Sequence, residues 1–361
     1  MSFRRFFLFL LLIGATVYAY YWYVRGINLL LGQDQVELPP YSIAQRIPPK
    51  NAPSTNAGKP AEPPKPAGQE YEWTLAAPMP TPRVNVASAA IGSKVYVIGG
   101  LDGFARTMST VEVFDTKTNA WTKARSLPKP VHHAAAAAAG GKIYVFGGLT
   151  GLAATPTDAL YIYDPDKDGW SRGKDLPDAV GAAAVVAVDG KIHLLGGKSL
   201  GSDVDTHYVY DIAANTWDSL PEMVAGREQF GAAIVGRKLF VFGGSQGGVL
   251  YNTDQVDVFD LDRSAWDPAA AMPLKRSDFT LLQQGDKVFL FGGEGPTATF
   301  DQVDVYDAKT DRWTTLKERM PSARHGMGGA MIDGSFFLVG GGKRSGISVT
   351  DLNEVMSPMN R

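Results

Sequence analysis

Lys142-Ile143-Tyr144-Val145-Phe146-Gly147-Gly148 decides the fold, because four hydrophobic residues closed by paired glycines recur six times in this chain. The copies occupy residues 95–100, 143–148, 192–197, 239–244, 288–293 and 336–341. Their first glycines stand at 99, 147, 196, 243, 292 and 340, a period of 47 to 49 residues. A fixed period of that length marks a repeat architecture, in which each unit buries its apolar faces against its neighbours.

Working outward from the glycines, each unit reads as four strands. A small-residue inner strand comes first, then the Gly-Gly strand. An alternating strand ending in Asp follows (Asp115, Asp164, Asp211, Asp260, Asp307), and a strand opening with Trp comes last. The tryptophans are Trp73, Trp121, Trp170, Trp217, Trp266 and Trp313, and the Asp lies six residues before its Trp in five copies. Polar hairpins rich in Asp, Asn and Gly join the last two strands. The alanine run at 134–139 has helical propensity. It aligns, however, with the inner strands of the other units, where a radial array tapers and admits only small side chains.

Paired glycines, an alternating strand and Trp at this spacing resemble the kelch repeat, over residues 71–361. The resemblance implies an all-β, six-bladed propeller with four-stranded blades. The array opens on a Trp strand at 71–77 with no Gly-Gly before it, and closes on a third strand at 352–357 with no Trp after it. The N-terminal strand is therefore expected to complete blade six, hiding edges that would otherwise invite aggregation.

Two segments precede the repeats. Residues 1–25 read as a cytoplasmic stub and a signal-anchor helix. Residues 6–24 are nineteen uncharged residues, about 28 Å of helix, with Tyr18, Tyr20, Tyr21, Trp22 and Tyr23 crowding one end. A cleaved signal peptide is the alternative, but 17–19 make a poor cleavage site. Arg4 and Arg5 outweigh Arg25, which places the N-terminus in the cytoplasm and the propeller outside. Residues 26–70 hold a Pro-rich linker, with nine prolines between 38 and 69, expected to act as a disordered tether.

The net charge is −2; seven Lys/Arg and four Asp/Glu lie in residues 1–70, leaving 28 and 33 for the repeats. That balance argues against a nucleic-acid surface. Zero cysteines exclude disulfides, thiolate metal sites and thiol catalysis, including the Cys–Tyr copper-radical chemistry of kelch-like oxidases.

Sixteen residues before each first glycine stand Arg83, Val131, Val180, Arg227, Arg276 and Arg324, followed by Asn85, His132, His133, Glu228, Asp278 and His325 within two positions. These residues enter the innermost strands and are expected at the mouth of the central channel. In kelch propellers this arginine position often lies near a rim that receives acidic ligands. The candidate ligand site is therefore Arg83, His132, His133, Arg227, Glu228, Arg276, Asp278, Arg324 and His325, with guanidiniums as bidentate donors. The competing reading is that the arginines bond only neighbouring backbone.

No metal and no cofactor are expected, since no carboxylate stands fixed beside the histidines in sequence. Residues 164–169 match the start of a calcium loop, with Asp175 at the twelfth place, but also fill the slot of an ordinary blade hairpin. The resulting expectation is a membrane-tethered, extracytoplasmic module that binds a protein, peptide or glycan. The alternative is a sugar enzyme like the bacterial six-bladed kelch proteins that epimerise or mutarotate sialic acid, with Glu228 beside Arg227 as its polar pair.

Overall fold

The structure, a computed structural model, describes residues 71–359. Six antiparallel four-stranded sheets follow one another along the chain, one per repeat. Blade two shows the pattern. Its inner strand Ala135–Ala139 pairs with Lys142–Phe146, then come Leu160–Asp164 and the outer strand Gly169–Arg172. The alanine run is a strand, as its register demanded, and it overrides helical propensity because inner strands pack against their neighbours around the axis.

Blade six consists of Gly328–Ile332, Ser335–Val339 and Asn353–Pro358, and its outer strand is Tyr71–Leu75. The closing register runs from Tyr71 opposite Pro358 to Leu75 opposite Glu354. Tyr71 is buried against Phe289 and Phe336, so the strand is held by packing as well as by its ladder. Both expected closing strands are shifted or shorter by a residue or two at their ends.

The core is divided rather than central. Six apolar clusters sit one at each blade interface. One joins Val95, Val97 and Phe114 of blade one to Phe337 and Val339 of blade six. Another joins Phe289 and Phe291 of blade five to Phe336 and Leu338 of blade six. Each Trp but the first also stitches blades together. The indole N–H of Trp121 donates to Ala77 O at 2.8 Å, and that of Trp313 to Ala270 O at 2.8 Å.

The membrane anchor, its orientation and the Pro-rich tether lie outside the described residues. Among the described residues no helix is long and apolar enough to cross a membrane.

Candidate functional site

The Gly-Gly pairs build the channel mouth. In every copy both glycines have positive φ, and a Cβ on the second glycine of blade one would meet Val84 O at 2.8 Å. The chain can therefore turn tightly, and the residue after the pair bridges to the segment that enters the inner strand of the same blade. The bridges are Val84 with Leu101, His132 with Leu149, Gly181 with Lys198, Glu228 with Ser245, Ser277 with Glu294 and His325 with Gly342. One face of the propeller thus combines the inner-strand entries with the loops that follow Gly-Gly.

The next position inward forms a ring. Asn85, His133, Ala182, Gln229, Asp278 and Gly326 all have φ between 50° and 59°. Each amide donates to the ring carbonyl of the preceding blade, at 2.7–3.0 Å, and Asn85 N donates to Gly326 O to close the circle. The cavity at this level is about 130 Å³. That is below the roughly 300–1,000 Å³ of ordinary small-molecule pockets.

The four arginines do not face the mouth, which corrects the sequence expectation. Arg83, Arg227, Arg276 and Arg324 are each 0% exposed. Each Nη2 donates to a carboxylate of the third strand in its own blade. The partners are Glu112 at 2.8 Å, Asp257 at 2.6 Å, Asp304 at 2.6 Å and Glu354 at 2.7 Å. Nη1 donates to the carbonyl of the first glycine, at 2.7 Å for Arg83 and 3.0 Å for Arg276. The backbone of the same arginine accepts from the second glycine of the preceding blade, as in Gly341 N to Arg83 O at 2.8 Å. The side chains are therefore latches within their own blades, the arginine backbone alone ties to the preceding blade, and an incoming anion finds no free guanidinium. The physical reason is that the register places them under the mouth rather than on it.

A signal for this was present in the sequence. Three residues before the closing position of each third strand stand Glu112, Tyr161, Tyr208, Asp257, Asp304 and Glu354. The acid occurs in the four blades that have the arginine, and Tyr in the two that have Val131 or Val180 instead.

The other candidates do reach the mouth, in three groups. His132 and His133 meet Nδ1 to Nδ1 at 2.6 Å, and Gln229 Nε2 lies 3.0 Å from His133 Nε2. Burial pushes both imidazoles below their ordinary range, His132 to about 3, so the pair is neutral and shares one proton donor. Glu228 is pushed up by burial, partly offset by Lys198, whose Nζ donates to it at 3.0 Å. His325 Nδ1 donates to Asp278 at 2.7 Å and its Nε2 to Arg344 O at 3.0 Å. Burial opposes the charged imidazole there, but the Asp278 carboxylate prevails and raises His325 to about 9. Glu294, two residues after Gly292, was missed by sequence reasoning. It lies 3.8 Å from His325 Nδ1, and burial pushes its carboxyl up.

Elsewhere, His193 is a satisfied core residue, with Nδ1 2.9 Å from His207 Nε2. The calcium-like stretch is a blade hairpin whose carboxylates point to separate partners. Asp164 pairs with Lys142 and Lys167, Asp168 accepts from Arg125 N and Tyr163 Oη, and Asp175 pairs with Arg172.

The face carries one more feature. Phe104, Leu152, Leu200, Leu250, Tyr251 and Ile347 are 57–87% exposed, and all lie on the loops after Gly-Gly. Blades one, two, three, four and six each contribute to this crown.

A closed ring of six blades, each built on a Gly-Gly strand and a Trp strand, defines a kelch-type β-propeller. The family model described as the KLHDC2/KLHL20/DRC7 Kelch-repeats domain matches residues 69–225 and 182–357, so the chain belongs to the kelch-repeat family. No curated protein matches the sequence. The solved structure of YjhT is similar, with a TM-score of 0.68 at 16% identity, over 78% of this chain and 96% of that one. At that identity the likeness concerns the fold alone.

Proposed function

We propose that the protein is a membrane-tethered, outward-facing kelch propeller that binds a protein or peptide across the face bearing the channel mouth. The observation that carries this reading is the crown of exposed Phe104, Leu152, Leu200, Leu250, Tyr251 and Ile347 around a polar centre. Large apolar side chains gathered on one face, rather than scattered singly, mark interaction surfaces. A polar mouth inside an apolar rim suits a partner that inserts a short polar segment and rests on the crown. The tether follows from the uncharged stretch at 6–24 and the prolines after it.

The test uses the full-length chain in cells, with proximity crosslinking at the mouth face. A partner crosslinked by the wild type is expected to be lost from a Phe104→Ser, Leu152→Ser, Leu200→Ser variant. It is expected to persist in a variant of the opposite hairpins, such as Lys117→Ser with Lys309→Ser. Equal crosslinking by both variants sinks the proposal.

A sugar-processing enzyme is the second reading, favoured by the Glu228–Lys198 pair and the His325–Asp278 pair at the mouth. It is weakened by the small cavity and by the withdrawal of four arginines from ligand contact. Acceleration of mutarotation or epimerisation of an acidic sugar, abolished by Glu228→Gln, would establish it.

A further inference from the structure

The carboxylates that the histidines lack in sequence are supplied by the fold. Asp278 comes from the backbone ring, His325 from the next blade's entry segment, and Glu294 from the loop directly after Gly293. One donor atom from each lies within 4.8 Å of the other two. We propose that Asp278, Glu294 and His325 form a binding site for a divalent transition-metal ion, of the zinc or manganese kind, at the channel mouth.

Three observations converge on it. All three residues are held by backbone that cannot drift. Asp278 is locked in the amide ring, Glu294 is bridged to Ser277 in both directions, and His325 to Gly342 likewise. Next, Glu294 is 6% exposed and its Oε2 accepts no hydrogen bond, although it is directed at the His325 ring 3.8 Å away. A buried carboxylate oxygen without a donor is costly, and a cation among the three side chains removes that cost. Finally, the far nitrogen of His325 is bonded to Arg344 O. Metal-ligating imidazoles commonly donate their other N–H to a carbonyl or carboxylate, which fixes the ring and the tautomer.

The charges agree. Two carboxylates, buried Glu294 and partly buried Asp278, face a single imidazole, whereas a divalent ion would balance both with His325 neutral. On binding, the proton on His325 Nδ1 leaves to solvent and the nitrogen lone pair takes its place toward the metal. One imidazole and two carboxylates suit zinc, manganese or iron(II), and provide fewer oxygens than calcium takes. Ligands at about 2.0–2.2 Å around tetrahedral zinc stand roughly 3.3 Å apart, so the donors need to close by about 1.5 Å at most. Three protein ligands leave a coordination position for water or for an oxygen of a bound partner.

The site is tested by titrating zinc chloride into the full-length, chelator-stripped chain by calorimetry, with cobalt(II) absorbance as a second readout. One equivalent should bind, and cobalt should develop visible ligand-field bands. Loss of even an outer partner of a metal ligand weakens binding about 10–100-fold. Glu294→Gln and His325→Gln should therefore each weaken it by about 100-fold or more. His132→Ala, which alters the separate histidine pair, should bind as the wild type does. Glu294→Gln is nearly isosteric, and an unchanged metal-free melting temperature will show that it folds. The proposal is overturned if zinc does not saturate, or if Glu294→Gln binds as tightly as the wild type. It is also overturned if only His132→Ala loses the metal, which would place binding at the other histidines.

Discussion

Blades five and three solve the same joint differently. In blade five, Arg276 spans from the Gly292 carbonyl to Asp304, entirely out of water. In blade three the corresponding residues are Val180 and Tyr208, packed in an apolar cluster with Leu176 and Leu194. Blade three also carries the His193–His207 pair where blade five has Phe289 and Val303. The joint thus requires a filled volume, not a charge. A buried ion pair gains little over apolar packing of equal shape, but losing one partner leaves a stranded charge. The two kinds of blade should therefore break in different ways.

The largest effect will come from the joint that both kinds of blade depend on, the closure. Deleting residues 71–77 removes the outer strand of blade six, the Tyr71 packing and the Ala76 N to Asn353 O bond. Loss of the cooperative melting transition, or aggregation on expression, is expected. An unchanged transition would show that the ring closes by another route.

Next come the latches. Arg276→Ala strands Asp304 and should cost about 3–5 kcal/mol in urea unfolding. Arg276→Met with Asp304→Leu should recover most of that loss. In blade two, Val131→Arg alone should destabilise strongly, and adding Tyr161→Glu should restore part of it. If the double variant is no better than the single one, arginine and acid are not a transferable unit.

Acid should separate blade three from blade five. His193 is held down to about 4 and His207 to about 3, chiefly by burial, against an ordinary value of 6.5. Between those values the unfolded chain binds more protons than the folded one. Stability should therefore rise with pH up to about 6.5 and fall as pH drops below it. His207→Gln should reduce that limb between pH 7 and pH 5, leaving the share of the buried His132–His133 pair, whereas Arg276→Met with Asp304→Leu should leave it whole. A limb left unchanged by His207→Gln would assign it to other groups.

The smallest effect on stability belongs to the crown. Phe104→Ser or Leu200→Ser should shift unfolding by no more than about 0.5 kcal/mol, as exposed substitutions usually do. Partner binding should nevertheless be lost.

The ring, the blade count and the borrowed strand were legible because glycine pairs and tryptophans repeat at fixed spacing, and each has one physical use. The mouth was only half legible. Register along one repeat found His132, Glu228, Asp278 and His325, since all lie within two residues of the marked position. It misplaced the arginines, because direction into or under the mouth is decided by the acid three strands of sequence away. Glu112, Asp257, Asp304 and Glu354 occur in the same blades as the arginines, and comparing two columns of the repeat rather than one would have exposed the pairing. Glu294 was missed for a related reason. It reaches across to the following blade, and no spacing within a single repeat describes that contact.

The amide ring at the mouth has one further property. A helix is a line of hydrogen bonds with two ends, and its ends carry bare groups, a dipole and a need for caps. Six amides donating in one rotational sense around the axis make a line with no ends. Every donor has its acceptor, and the bond dipoles circulate instead of adding. The side chains on this hoop, Asn85, His133, Ala182, Gln229, Asp278 and Gly326, take no part in the hydrogen bonds that hold it. Chemistry at five of the six positions can therefore be exchanged without redrawing the backbone. The sixth is confined to glycine, because a Cβ on Gly326 would stand 2.9 Å from the backbone nitrogen of Asn85.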